Sequence, residues 1–447
     1  MRSIKRNMRL ITLMLSLFCV VLIILVAKLY KEASFYIVHS DNAMLGKVYD
    51  RNGEVLFDQK ASADVYGYDY FTDVTNFIGN DDGQMTNTLV ASNLELLNNY
   101  SFSVRAHNSE GKSAIYSTLN HKANRAVYDA FGGKNGTAIA YNYKTGEILV
   151  CVSKPGLNPF GGYTDLEDGS MLCKAFFKFT PGSTQKVSTL IAAHEIMGTD
   201  LISSKVFECT GSYINKSGKE IFCHNLYGHG TQDIVSAFEN SCNPYFAQLV
   251  EDSDFNLESV IKIFKKMGYS VNESEPYELL INGIDVETAS TNLNDKNEFS
   301  TQWGCIGQGD TMISPCMMMM WQSAIATETG KATVPYFIGH TTRFDGSADN
   351  YAINSYTDKL FEEQTASYVK NVMIQNGQRY TDTIPEYTLG LKSGTAQIKN
   401  GAEENSFLTG FDTNPDHPIA FCVLIENRVS GDITTDSIVR TLLSSIN

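Results

Sequence analysis

The sequence predicts an α+β protein: a central antiparallel sheet whose strands come from both ends of one long segment, with a helical subdomain inserted between them. Three observations carry this. Residues 137–143 and 147–152 form a strand pattern around the turn Lys144-Thr145-Gly146, which predicts a hairpin. Further strand-like runs appear late, at 387–391 continuing through 392–397, at 406–411 and at 419–426, before a closing helix near 437–445. Between the two groups, apolar residues recur at helical spacing over 184–197, 233–240, 244–251, 257–267, 315–327 and 358–375. Strands early and late with helices between them are the pattern of an α+β domain whose sheet closes across the insertion.

The chain begins differently. Arg2, Lys5, Arg6 and Arg9 precede an uncharged apolar run over 10–27, closed by Lys28 and Lys31. That run is close to the ~20 residues needed to cross a bilayer, and the four cations before it predict a cytoplasmic N-terminus. A cleaved signal peptide is the rival reading; the run is long for one and lacks a small-x-small site at its end. The expected organisation is a cytoplasmic tail (1–9), a transmembrane anchor (10–27), a small N-terminal pedestal domain (28–130) and a large main domain (131–447) outside the cell membrane. Within the pedestal, residues 46–56 read as two short strands about Asn52-Gly53, and helical stretches are expected near 87–97 and 122–131.

Composition fits a globular protein of two or three domains, with 43% hydrophobic and 19% charged residues. A net charge of −15 without a basic block beyond the N-terminus argues against a nucleic-acid partner. Nine cysteines follow no metal-ligand spacing, and most read as small buried hydrophobes. Cys209 and Cys223 bracket a polar turn and are either a disulfide or a pair of reduced thiols. His224 and His229 lie beside them, but the four together lack a zinc spacing, so neither a metal nor another cofactor is expected. Met317 to Met320 read as core.

Chemistry concentrates in three short stretches. The first is Phe179-Thr180-Pro181-Gly182-Ser183-Thr184-Gln185-Lys186, where a Pro-Gly break enters a helix and puts a hydroxyl and an amine three residues apart. Ser183 is the candidate nucleophile and Lys186 its candidate base, with the helix N-terminus favouring negative charge on the oxygen. Ser259 with Lys262 and Ser367 with Lys370 repeat the spacing inside ordinary amphipathic helices, where both are expected to be solvated. The second stretch is Ser241-Cys242-Asn243, a polar turn between two apolar helices; Ser40-Asp41-Asn42, Ser270-Val271-Asn272 and Ser290-Thr291-Asn292 match it but read as turns or caps. The third is Lys392-Ser393-Gly394-Thr395-Ala396 in a strand, where Gly394 leaves space for a ligand backbone to approach. Lys144-Thr145-Gly146 and Lys216-Ser217-Gly218 match its pattern, but neither follows both other elements in the chain.

The ordered trio Ser-x-x-Lys, Ser-x-Asn and Lys-Ser-Gly resembles that of the penicillin-binding proteins and serine β-lactamases. The spacings, 58 residues from Ser183 to Ser241 and 149 from Asn243 to Lys392, are similar to those of D,D-transpeptidases. The hairpin at 46–56, Lys144 to Leu149 with Pro155 and Asn158-Pro159, and Ile306-Gly307-Gln308-Gly309 followed by Ser314-Pro315 resemble the monofunctional class B members. Two departures stand out. Residues 406–411 lack the tryptophan usual there, and the N-terminal domain is short, like that of the compact class B proteins of Gram-positive bacteria.

The resemblance implies a penicillin-binding transpeptidase fold, similar to that of the serine β-lactamases, and a role for each motif residue. Ser183 attacks the carbonyl between the two terminal D-alanines of a peptidoglycan stem peptide, and Lys186, made neutral by burial next to the cation of Lys392, takes its proton. Ser241 passes the proton to the leaving amine, and Asn243 orients Lys186 and the substrate backbone. The N–H groups of Ser183 and Thr395 form the oxyanion hole, while Lys392, Ser393 and Thr395 hold the terminal carboxylate. β-Lactams become inhibitors, and a membrane glycosyltransferase the expected partner. A D,D-carboxypeptidase, a β-lactamase and a β-lactam-acylated sensor use the same trio; the nine residues before the span, too few for a signalling domain, count against the sensor.

Overall fold

The computed structural model describes residues 2–38, 44–98, 112–273, 278–398 and 403–446. Ser40-Asp41-Asn42 therefore lies outside the described residues, as does 99–111 of the expected pedestal. The chain opens with a helix, Arg2–Val38, that contains an apolar stretch, Asn7–Leu29, of mean hydropathy 3.1 with its side chains exposed. Among the described residues it is the one helix long and apolar enough to cross a membrane.

The central sheet has five antiparallel strands in the spatial order Leu389–Ile398, Glu403–Asp412, Ile419–Ile425, Gly136–Asn142 and Ile148–Lys154. The two ends of the expected segment meet where Ile419–Ile425 pairs with Gly136–Asn142, so the sheet closes across the inserted helices as the sequence implies. Ile419–Ile425 is the middle strand and every residue in it is buried, which is why it reads as an unbroken apolar run. Side chains alternate between two cores. Ala138, Ala140, Leu391, Leu408, Phe421 and Val423 face the helices His121–Ala130 and Thr435–Ser445. Ile139, Tyr141, Phe407, Phe411 and Cys422 face the larger helical core. Lys392 and Gly394, one and three residues beyond Leu391 on the edge strand, therefore point to the helical side, where the other two motifs lie.

That side holds the helices Lys186–Ser204, Ile234–Glu239, Asn243–Glu251, Leu257–Lys266, Phe299–Ile306, Pro315–Ala326 and Glu363–Gly377. All six expected helices are present, and Gly198, at φ 69° and ψ 172°, breaks the first of them where the periodicity stops. Met317 to Met320 are core, none more than 6% exposed. Phe299–Ile306 was not expected, because its sequence Phe-Ser-Thr-Gln-Trp-Gly-Cys-Ile mixes small, polar and aromatic residues without a clean stripe.

Near the N-terminus, Val48–Tyr49 and Val55–Phe57 form the expected hairpin, with Gly53 at φ 89° in the turn. Asp50 locks that turn, its Oδ1 accepting from the N–H groups of Asn52 at 2.7 Å and Glu54 at 2.8 Å. The hairpin belongs to a second five-stranded sheet with Ala114–Ser117, Ile338–Thr342 and Ala348–Asp349. The last two strands arrive from more than two hundred residues away in the chain, so the N-terminal segment is tied to the helical region through its own sheet.

A buried stack supports the helix that carries Lys186. Phe264, Tyr269 and Trp321 stack with ring centroids 4.7 and 5.2 Å apart, and Trp321 Nε1 donates to the carbonyl of Met267 at 3.0 Å. Tyr269 Oη donates to Gln185 Oε1 at 2.7 Å, two residues from Ser183. Replacing Trp321 by Ala should lower the free energy of unfolding by about 3–5 kcal/mol through the cavity left behind. Tyr269→Phe, which removes the hydroxyl shared by Gln185 Oε1 and Ser188 Oγ, should cost about 1–3 kcal/mol. Denaturant titration followed by circular dichroism measures both; a Trp321→Ala protein as stable as the parent would show that the stack does not hold this region.

Candidate active site

The residues of the three stretches converge on one cleft. Pro181-Gly182 ends the extended approach, and Gly182–Gln185 forms a single 3₁₀ turn that runs into the helix Lys186–Ser204. Ser183 therefore sits one tight turn before the α-helix rather than in its first turn, as the periodicity alone suggested. In a 3₁₀ turn residues three apart eclipse each other. Lys186 Nζ accordingly lies 2.8 Å from Ser183 Oγ.

Ser241 and Asn243 are delivered by a sharp reversal. The helix Ile234–Glu239 is closed at its start by a reciprocal cap between Asp233 and Ser236. Ser241 then adopts φ 50°, a left-handed conformation uncommon for a residue with a side chain. Cys242 caps the next helix, Asn243–Glu251, which Pro244 helps to start. The reversal turns both the carbonyl and the hydroxyl of Ser241 toward Lys186, at 2.7 and 3.3 Å from its Nζ. Asn243 Oδ1 accepts from the same amine at 2.7 Å.

Lys186 is fully buried, and burial pushes its amine down to about 7 from 10.5, against the opposing influence of the Cys242 and Cys223 thiols. The contacts fix what a neutral amine does there. It has two N–H donors and one lone pair; the carbonyl of Ser241 and Oδ1 of Asn243 can only accept, so they take the two donors. The lone pair is left for the hydroxyl proton of Ser183. Lys392 is also buried, and its pKa is driven well below its usual range by burial first and by repulsion from Lys186 second. Its Nζ donates to Ser241 Oγ at 3.1 Å and to its own neighbour's carbonyl, Ser393 O, at 2.8 Å. The sequence-based expectation that a standing Lys392 cation depresses Lys186 thus changes: burial lowers both, and the two amines share one hydroxyl.

Glycines make the assembly possible. A Cβ on Gly182 would come within 2.5 Å of the Thr395 carbonyl, and one on Gly394 within 2.6 Å of the Pro181 carbonyl. Gly394 was expected to make room for a ligand; the structure gives it another reason, since the edge strand packs backbone to backbone against the turn that carries Ser183. Gly307, at φ 97°, closes the underside: its carbonyl accepts from Gly182 N at 2.9 Å, and a Cβ there would meet Gly182 O. The Ile306-Gly307-Gln308-Gly309 stretch is therefore the floor under the turn.

The cleft encloses about 780 Å³, and its walls include Ser183, Ser241, Asn243, Ser393, Gly394 and Thr395. All eight sequence-derived site residues belong to this one assembly. Ser393 is half-buried and Thr395 exposed, both open to the cleft, whereas Lys186 and Lys392 sit beneath it. Sequence reasoning missed part of the lining. Phe299 and Trp303, stacked at 5.2 Å, form an apolar wall, and Phe222, His224 and Glu220 face it from the excursion 207–232. Only the bulk of Trp303 signals such a role in the sequence. The matching pairs elsewhere do not join the site: Ser259 and Lys262 lie in an outer helix, where Lys262 pairs with Glu258 at 2.7 Å, and Ser367 and Lys370 both bind Glu328.

Cys209 and Cys223 are free thiols in this structure rather than a disulfide. They do not stand alone. Their sulfurs, Cys242 Sγ and a ring nitrogen of His229 all lie within 4.8 Å of one another. The set judged from spacing, with His224 as fourth member, was the wrong set: Cys242, hidden as the middle residue of Ser241-Cys242-Asn243, takes that place.

Comparison with known proteins matches the same region. Residues 136–444 fit the family model "Penicillin binding protein transpeptidase domain". Stage V sporulation protein D of Bacillus subtilis is 24% identical over 319 residues, 65% of this chain and 45% of that protein. The peptidoglycan D,D-transpeptidase MrdA of Acinetobacter baumannii is 23% identical over 367 residues, 71% of this chain and 51% of that one. The chain thus spans about half the length of the curated relatives it matches. Penicillin-binding protein A from M. tuberculosis, solved as an imipenem acyl-enzyme complex, superposes with a TM-score of 0.74 at 17% identity, covering 90% of this chain and 99% of that one. The D,D-transpeptidase domain of a peptidoglycan glycosyltransferase from Eggerthella lenta gives 0.73 at 19% identity, covering 90% and 98%. With a family match over most of its length, this chain belongs to the penicillin-binding protein transpeptidase family.

Proposed function

We propose that the chain is a membrane-anchored peptidoglycan D,D-transpeptidase that works through an acyl-enzyme on Ser183. The observation that carries the reading is the contact of Ser183 Oγ with the buried Lys186 amine at 2.8 Å, inside a cage whose other acceptors leave the lone pair for the nucleophile. Ser183 Oγ attacks the carbonyl carbon between the two terminal D-alanines while its proton moves to Lys186. The N–H groups of Ser183 and Thr395 receive the negative charge on the carbonyl oxygen. Ser241, in contact with both lysine amines, relays the proton to the departing D-alanine nitrogen, and the C–N bond breaks. An amine of a second stem then attacks the ester, the same groups work in reverse, and Ser183 leaves as a hydroxyl.

The terminal carboxylate of the donor belongs with Lys392, Ser393 and Thr395. A carboxylate arriving there favours the charged form of Lys392, and that charge then keeps Lys186 neutral. β-Lactams place a carboxylate and a reactive carbonyl in the same relation, which makes them acylating inhibitors. The anchor over 10–27, with residues 1–9 in the cytoplasm, holds the pedestal (28–130) and the catalytic domain (131–447) outside, beside a membrane glycosyltransferase that supplies uncrosslinked strands.

Ser183→Ala should abolish covalent labelling by a fluorescent penicillin, while Ser259→Ala and Ser367→Ala label like the parent; labelling that survives Ser183→Ala sinks the assignment. The pH profile follows from the direction of the Lys186 shift. A base lowered to about 7 is protonated and idle below that pH and free above it, so the acylation rate constant should rise through pH 7 and level off, instead of climbing toward 10. Stopped-flow acylation across pH 5.5–9 reads this directly, and a rate without an inflection in that window argues against Lys186 as base. For topology, protease added to intact protoplasts should digest everything after Lys31 and spare the anchor and tail; a protected C-terminal domain reverses the orientation.

A further inference from the structure

We infer that Cys209, Cys223, His229 and Cys242 form a tetrahedral Zn²⁺ site that fastens the wall of the cleft to the Ser241-Cys242-Asn243 turn. The four donors come from four separate pieces of backbone: the end of strand Phe207–Cys209, the residue after strand Glu220–Phe222, the residue before strand Gly230–Gln232, and the cap of helix Asn243–Glu251. Nothing in local sequence brings them together. In the fold, His229 Nδ1 lies 3.4 Å from Cys223 Sγ and 3.8 Å from Cys209 Sγ, and all four donor atoms lie within 4.8 Å of one another. A tetrahedral zinc with Zn–S of about 2.3 Å and Zn–N of about 2.0–2.1 Å requires S···N edges of about 3.6 Å. The two edges from His229, at 3.4 and 3.8 Å, already have that length, and a cluster held within 4.8 Å needs only a small contraction for the rest.

The surroundings favour a closed structural site. All three cysteines are buried, at 2%, 3% and 0% exposure for Cys209, Cys223 and Cys242. Backbone bonds hold the donors in place: His229 N donates to Cys209 O at 3.0 Å, and Cys223 N to Gly211 O at 2.9 Å. Gly228, at φ 80°, lets the loop fold back so closely that a Cβ would meet the Cys209 carbonyl. Three thiolates and an imidazole are a soft set suited to Zn²⁺ and poor for magnesium or calcium. Binding releases the three thiol protons to solvent and needs no redox partner.

The excursion 207–232 has little core with which to hold itself. It is two two-stranded ribbons in which Ile221 is buried and Phe207 packs on Tyr245, while Phe222, Leu226 and Tyr227 are 55%, 71% and 98% exposed. One end is tied down by Glu251, which accepts from Tyr213 Oη at 2.7 Å and Lys216 N at 2.8 Å. The four-donor cluster ties the other. Small substructures without a core are commonly stapled by a metal or a disulfide. Oxidation would pair only two of the three thiols, whereas a metal engages all three and the histidine. Because Cys242 lies between Ser241 and Asn243, and Asn243 Nδ2 donates to Phe222 O at 3.1 Å, fixing the cluster fixes both walls of the cleft.

The zinc site stands independently of the acyl-transfer reading, and metal analysis of the full-length protein in detergent tests it. Protein purified without chelator should carry about one zinc per chain by inductively coupled plasma mass spectrometry. Cys209→Ser, Cys223→Ser and His229→Ala should each lose most of it, while His224→Ala keeps it. Should these variants fold poorly, the parent protein suffices: replacement by Co²⁺ should give the intense visible bands of tetrahedral cobalt together with thiolate charge transfer. In the zinc-loaded parent the three thiols should resist alkylation and become reactive after a strong chelator is added. Chelation should slow penicillin acylation by about an order of magnitude, recovered on adding Zn²⁺. A parent protein that takes up no zinc when supplied with it, that contains a disulfide among these cysteines on isolation, or that loses zinc with His224→Ala but not His229→Ala overturns the site. Unchanged acylation after complete zinc removal overturns its hold on the cleft.

Discussion

The cleft depends on three backbones meeting with no side chain between them. The turn Pro181-Gly182, the edge-strand residues Gly394-Thr395 and the helix end at Gly307 approach so closely that a single Cβ at any of the three would collide with a carbonyl oxygen or its neighbours. This contact brings an edge strand of the sheet against the start of a helix from the insertion. Ser183 and the third motif are more than two hundred residues apart in sequence, yet their spacing in the cleft is set by the van der Waals radii of main-chain atoms. Side-chain repacking cannot relax such a contact.

Within that frame the electrostatics follow from an unusual burial. Two lysine amines are withdrawn from water a few ångströms apart, and the described acceptors around them are carbonyls, hydroxyls and an amide, with no carboxylate bonded to either. A buried carboxylate would restore both charges. Ser241 Oγ lies between the two amines, so its single proton points toward whichever is neutral, and its orientation is coupled to which lysine carries charge. The left-handed backbone at Ser241 serves the same end, because it aims carbonyl and hydroxyl at one amine together.

Much of this was legible in the sequence, and the limits have physical causes. The three motifs could be ordered because helices and strands with strong periodicity flank them, and that context separated Ser183 from Ser259 and Ser367. The central strands could be read because Ile419–Ile425 is buried on both faces. The ribbons in 207–232 could not, since strands of three residues with alternating exposure and polar content leave no signal above that of a loop. The helix Phe299–Ile306, which carries the aromatic wall, lacks an apolar stripe for a similar reason. Pairing of Ile338–Thr342 with Ala114–Ser117 is a non-local choice that no window of sequence contains. Gly394 reads in the sequence as a place where bulk is forbidden, and the fold adds a reason that no local window contains, the Pro181 carbonyl 2.6 Å from where a Cβ would stand.

The same limit explains why the cysteine cluster escaped a reading based on spacing. Zinc motifs are recognisable in sequence when ligands pair within a turn, since the turn then fixes their separation. Here each donor lies on a different short element, and the distance between them is set by tertiary contacts: the ribbon Phe207–Cys209 with Gly230–Gln232, and the return of the chain through Ile234–Glu239 to Cys242. Cys242 also occupies a position that motif reading treats as free, because only its neighbours face the cleft. In the fold that freedom disappears: with Ser241 and Asn243 turned toward Lys186, the residue between them must point the opposite way, into the base of the excursion. A side chain there can secure the turn from behind without entering the chemistry in front of it.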